Sequence, residues 1–101
     1  MENIELVQDY IAERLIYDPL TGVISRRMKT RDKPIRTLSN DGYIVIGILK
    51  HQYRAHRIAW YMHYGVWPTS EIDHANCIKT DNRISNLRLC DNSQNQANKQ
   101  K

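Results

Sequence analysis

At 101 residues, 41% of them hydrophobic, the chain suits one small domain with a modest core. No apolar run approaches the ~20 residues that span a bilayer. Met1-Glu-Asn-Ile-Glu lacks the charged start and apolar centre of a signal peptide, so an intracellular, cytoplasmic protein is expected.

The formal net charge of +4 is uneven: residues 1–20 carry −4, residues 21–60 carry +7 and residues 61–101 carry +1. The acidic start reads as an amphipathic helix. Ile4, Val7, Ile11 and Leu15 fall on one face of a 3.6-residue repeat. That stripe suits packing on the domain or on a partner. Next, Arg14-Leu-Ile-Tyr17 and Val23-Ile-Ser-Arg26 flank the turn Asp18-Pro-Leu-Thr-Gly22, a hairpin pattern.

Residues 28–41 read as a basic loop containing proline and asparagine. Arg26, Arg27, Lys29, Arg31, Lys33 and Arg36 crowd around one acid, Asp32. Such a run is often only a solvated loop, but it also suits an arm that contacts phosphates. Gly42 to Leu49 reads as a strand, with Tyr53 to His56 as its partner across Lys50-His-Gln52. Arg57 to Tyr64 suits a helix with Ile58, Tyr61 and Met62 inward, and Gly65 and Pro68 are placed to end it.

The C-terminal part is organised around Glu71 to Asn95. Asp73 and His74 are adjacent after the apolar Ile72. Asn86 follows His74 by twelve residues, and Asn95 follows Asn86 by nine. A polar, turn-rich stretch separates His74 from Asn86, and Leu87-Arg-Leu89 alternates like a short strand. Asp91 with Gln94 three residues on forms a capping-box pattern before a polar helix. The segment thus reads as strand, loop, strand, helix. On the first strand Asp73 and His74 point to opposite faces. The helix can bring Asn95 back over the strands. A carboxylate oxygen and an amide oxygen can then converge on one hard divalent cation, with a histidine beside it to take a proton from water.

These residues resemble the HNH endonuclease family, in the variant whose last histidine is asparagine. The resemblance rests on Asp73-His74, on Asn86 within Asn82-Arg-Ile-Ser-Asn-Leu87, on Asn95 within Asn92-Ser-Gln-Asn95, and on Lys79-Thr-Asp-Asn-Arg83. Gly42-Tyr-Ile-Val and Tyr53-Arg-Ala-His-Arg-Ile-Ala-Trp60 are similar to the segment before the motif in phage-type members, and Tyr17-Asp-Pro-Leu-Thr-Gly-Val-Ile to their N-terminal part. The resemblance implies a small α+β single domain of short β-hairpins, closed by a C-terminal ββα-metal motif. Its expected parts are residues 1–41 (helix, hairpin, basic loop), 42–66 (hairpin, helix) and 67–101 (metal motif). It also implies a phage-encoded enzyme acting on DNA in a bacterial host.

The expected chemistry is phosphodiester hydrolysis. His74 acts as general base, since imidazole changes charge near neutral pH. Asp73 and Asn95 hold one Mg²⁺ or Mn²⁺, leaving room for water and substrate oxygens. By the resemblance, Asn86 orients the loop or the histidine ring. Arg54, Arg57, Arg83 and Arg88 are candidate phosphate contacts, with a solvated face as the alternative. His56, at the strand–helix junction, either approaches the phosphate or serves packing; His51 and His63 read as non-catalytic.

Two other classes remain in view. One is a DNA-binding protein that keeps this fold without catalysis; retention of all four motif residues argues against it. The other is an interaction module held by a structural zinc on His74, Cys77 and Cys90. Its first pair has ligand-like spacing, but no second close pair follows Cys90. Two small cysteines packed near the strands is the plainer reading. A single site per chain suits nicking by a monomer, and cutting both strands would call for a homodimer.

Overall fold

The computed structural model describes residues 4–90. Helix α1 runs Ile4–Arg14, with Glu5 in its first turn and Arg14 in its last, both favourable to the helix dipole. Val7 and Ile11 on α1, and Leu15 just beyond it, are buried as the periodicity requires. The Ile4 side chain lies outside the described set.

Strands β1 (Leu15–Tyr17) and β2 (Ile24–Arg26) form the expected antiparallel hairpin. The next stretch departs from a pure loop. Lys33–Pro34 adds a short third strand, β3, beside β2. Proline is tolerated there because β3 is an edge and need not donate on both sides.

Strands β4 (Val45–Ile48) and β5 (His51–Arg54) pair antiparallel. Their turn is shorter than the three residues expected: only Leu49 and Lys50 lie between the strands, both with positive φ. Such a conformation matches the strand twist, although glycine or asparagine is the usual occupant. Ala55–Tyr64 forms α2, two residues longer at its start than the sequence pattern suggests. Gly65 ends it in the left-handed region at φ 77°, donating its N–H to the Tyr61 carbonyl.

Strands β6 (Glu71–His74) and β7 (Leu87–Cys90) pair antiparallel, with a 3₁₀ turn at Ile84–Asn86 leading into β7. The capping box at Asp91 and the helix expected after it lie outside the described residues.

One aliphatic core joins these pieces: Val7, Ile11, Leu15, Ile24, Ile46, Ile48, Ile58 and Leu87, with Ala55 and Ala59. Full burial of each large aliphatic side chain contributes about 1.5–3 kcal/mol. Aromatic rings sit at its rim, where Trp67 meets Tyr53 edge-on and Tyr61 at a tilt. Leu87 belongs to this core, so β7 and the loop before it are anchored to both helices' packing. The arrangement is a small α+β fold of short antiparallel hairpins and, among the described residues, two helices.

Candidate active site

The site is built on β6 and the loop that returns to β7. Strand alternation turns Asp73 and His74 to opposite sides. His74 is buried, with 5% of its surface exposed. Asp73 is half-buried and accepts two hydrogen bonds from Arg88, its cross-strand partner, at 3.1 Å from Nε and 2.8 Å from Nη2. Both fall on Oδ2.

Asn86 is buried and ties the loop together. Its Oδ1 accepts from the Asn76 N–H at 3.0 Å, and its Nδ2 donates to Asn76 Oδ1 and to the Asp81 carbonyl, each at 2.9 Å. Asn76 in turn donates to Asp81 Oδ2 at 2.7 Å. Of the two roles the family resemblance allows, the bonds Asn86 makes here are to the loop. The ring contact is made by another residue, Asn82, whose Oδ1 lies 2.9 Å from His74 Nε2. Asn82 was not among the expected site residues. Asparagine is common in loops for its local bonds, so its type alone carried no signal.

A second group adjoins His74. The His56 ring meets the His74 ring edge-on at 5.0 Å between centroids, and Tyr43 lies 5.4 Å from His56 and 5.9 Å from His74. Tyr43 was expected only as a strand residue. Burial pulls the His56 pKa down to about 4, and charge on His74, Arg54 and Arg57 acts in the same direction. His56 is therefore neutral across the physiological range. It lines a cavity of about 330 Å³ with Tyr43, Arg54 and Arg57 on its wall, and with Asp41 and Glu71.

The expected phosphate contacts fall into distinct environments. Arg54 pairs with Asp41 at 2.7 Å and lies 4.3 Å over the Tyr43 ring. Arg83 pairs with Asp81 at 2.7 Å, and Arg88 with Asp73. The Arg54 guanidinium and the Ser39 hydroxyl hold Asp41 well below the usual carboxylate range, and Arg83 does the same for Asp81. In the basic stretch, Arg26 donates to the Tyr10 hydroxyl at 2.7 Å and to the Gly47 carbonyl at 3.1 Å, joining α1, β2 and β4. Arg27, Lys29, Arg31, Lys33 and Arg36 are exposed. Lys33 and Arg36 share the wall of a cavity of about 480 Å³ with Arg26 and Gln52.

Among the described residues, no three His, Cys, Asp or Glu side chains gather as a metal cluster. His74, Cys77 and Cys90, all among the described residues, do not gather as the zinc site considered above would require. The Asp73 carboxylate is a hard oxygen donor and fits a hard cation. Its expected partner, Asn95, lies outside the described residues.

Residues 53–97 match the family model described as HNH endonuclease. This match runs from the end of β5 through α2, β6, the loop and β7 and includes His56, Asp73, His74, Asn82 and Asn86, whereas Asp41, Tyr43 and the basic stretch Arg26 to Arg36 precede it. A solved structure, "DNA binding and cleavage by the HNH homing endonuclease I-HmuI", shares the fold with a TM-score of 0.61 at 22% sequence identity. The likeness covers 86% of this chain and 52% of that one, so the chain spans about half of that protein's length. No curated protein matches. The family match covers residues 53–97, and the likeness to the solved structure is one of fold. No helix among the described residues is long and apolar enough to cross a membrane.

Proposed function

We propose that the chain is a single HNH nuclease unit, a divalent-metal-dependent endonuclease that hydrolyses DNA phosphodiester bonds. The observation that carries this reading is the placement of His74. It is buried at the end of β6, next in sequence to the Asp73 carboxylate, and its ring is bonded to a loop that Asn86 ties down. His74 takes the proton from the attacking water. Asp73, with Asn95, holds a Mg²⁺ or Mn²⁺ ion. That ion, when bound, supplies charge neutralisation on the phosphate and on the departing oxygen. Asn86 keeps the loop rigid enough that His74 does not drift. The exposed bases between Arg27 and Arg36 contact backbone phosphates.

Supercoiled plasmid incubated with Mg²⁺, with Mn²⁺ and with chelator tests the reading. Cleavage should need the metal, and His74→Ala should slow it by about 10²- to 10⁴-fold, the range of a general base. Cleavage by His74→Ala at the wild-type rate would remove His74 from the mechanism.

A further inference from the structure

The contact between Asn82 and His74 closes the loop that leaves β6, eight residues apart in sequence. Asn82 is 2% exposed, and its side-chain Oδ1 faces His74 Nε2 at 2.9 Å. An amide oxygen can only accept, so Nε2 must carry the proton. The lone pair of the neutral ring is then on Nδ1. A general base needs its lone pair at the nitrogen that meets water, so the tautomer decides which edge of the ring is useful.

Asn82 is itself held by the N-terminal hairpin. The Tyr17 hydroxyl donates to the Asn82 carbonyl at 2.6 Å. Two residues on, the Ile84 N–H donates to the Pro19 carbonyl at 3.1 Å. Between them Gly22 presses against the same backbone: a Cβ there would lie 2.4 Å from the Arg83 nitrogen and 2.5 Å from the Asn82 carbonyl carbon. Gly22 also has φ 79°, so only glycine allows both the turn and the approach. The Tyr17 contact is partly buried, and burial pushes its phenol pKa above the usual range, keeping the hydroxyl protonated as donor.

We propose that Asn82 is a positioning residue that fixes the tautomer of His74, and that the Tyr17–Gly22 turn holds Asn82 in place. The proposal rests on the reading of His74 as the base and adds to it which nitrogen serves, Nδ1, and what keeps it so.

The direct test is nitrogen-15 NMR of the histidine rings in alkaline buffer, where free imidazole is neutral. The His74 signals are assigned by their loss in His74→Ala. The wild-type protein should show His74 protonated on Nε2. A ring protonated on Nδ1, as an amide turned the other way would give, overturns the proposal whatever the enzyme does to DNA. Asn82→Ala should shift the ring toward a mixture of tautomers and lower kcat by about 10- to 100-fold, as loss of a histidine's outer partner usually does, with KM little changed. Asn82→Asp keeps an acceptor and should restore the Nε2-protonated ring. An Asn82→Ala ring identical to wild type also overturns the proposal. If the ring behaves as expected but wild-type protein cleaves no DNA, the nuclease reading fails and the positioning of His74 stands. The wild-type spectrum is decisive even if the Asn82 variants do not fold.

Discussion

His56 shows how a buried ring couples this site to pH. Its charged form is disfavoured first by burial and then by the neighbouring His74, Arg54 and Arg57, which brings its pKa from 6.5 down to about 4. The folded protein therefore binds fewer protons at His56 than the unfolded chain does between those two values. The resulting stability is whole above pH 6.5 and is lost as the pH falls toward 4. The contribution can rise by no more than about 1.4 kcal/mol per pH unit for one group. Denaturant unfolding across this window should show wild-type stability climbing more steeply with pH than that of His56→Gln. Parallel curves would mean that His56 is not desolvated in the folded protein.

At the scale of elements, the basic stretch divides by structure rather than by charge. Arg26 is engaged with Tyr10 and Gly47, so its removal acts through the packing of α1, β2 and β4. Arg31 and Lys33 are exposed, Lys33 on the edge strand β3. Replacing these two with alanine should weaken binding to all DNA sequences alike and flatten the salt dependence by about 0.9 unit of slope per lost phosphate contact. An unchanged slope in a binding titration would return the stretch to an ordinary solvated loop. The sequence made several of these elements legible. The turn Asp18 to Gly22, the apolar spacing of α1 and the stop at Gly65 each carry a strong local signal. Strand β3 did not, because two residues including a proline have no periodicity. The Leu49-Lys50 turn was hidden because neither residue is one that favours positive φ. Asp73, His74 and Asn86 were singled out in the sequence, and they lie on β6 and in the 3₁₀ turn before β7. Asn82 and Tyr43 were not, because their importance lies in contacts across the fold.

For the whole molecule, the question is how many strands one protein can cut. The apolar stripe of α1 was the feature of the chain that suited a dimer. Val7, Ile11 and Leu15 are 2%, 1% and 1% exposed within the monomer, so these three are already used. Each chain carries one Asp73-His74 pair, and one such site acts on one phosphate at a time. Cutting both strands at once needs a second site on the opposite strand, most simply through a twofold dimer. If the proposed nuclease acts as a monomer, it should nick, with contacts mainly to backbone phosphates and modest sequence preference. On supercoiled plasmid, open circles should accumulate well before linear molecules, and the rate should rise in proportion to enzyme concentration. Linear DNA formed from the outset, by protein that sediments as a dimer at the assay concentration, would replace this picture with paired active sites.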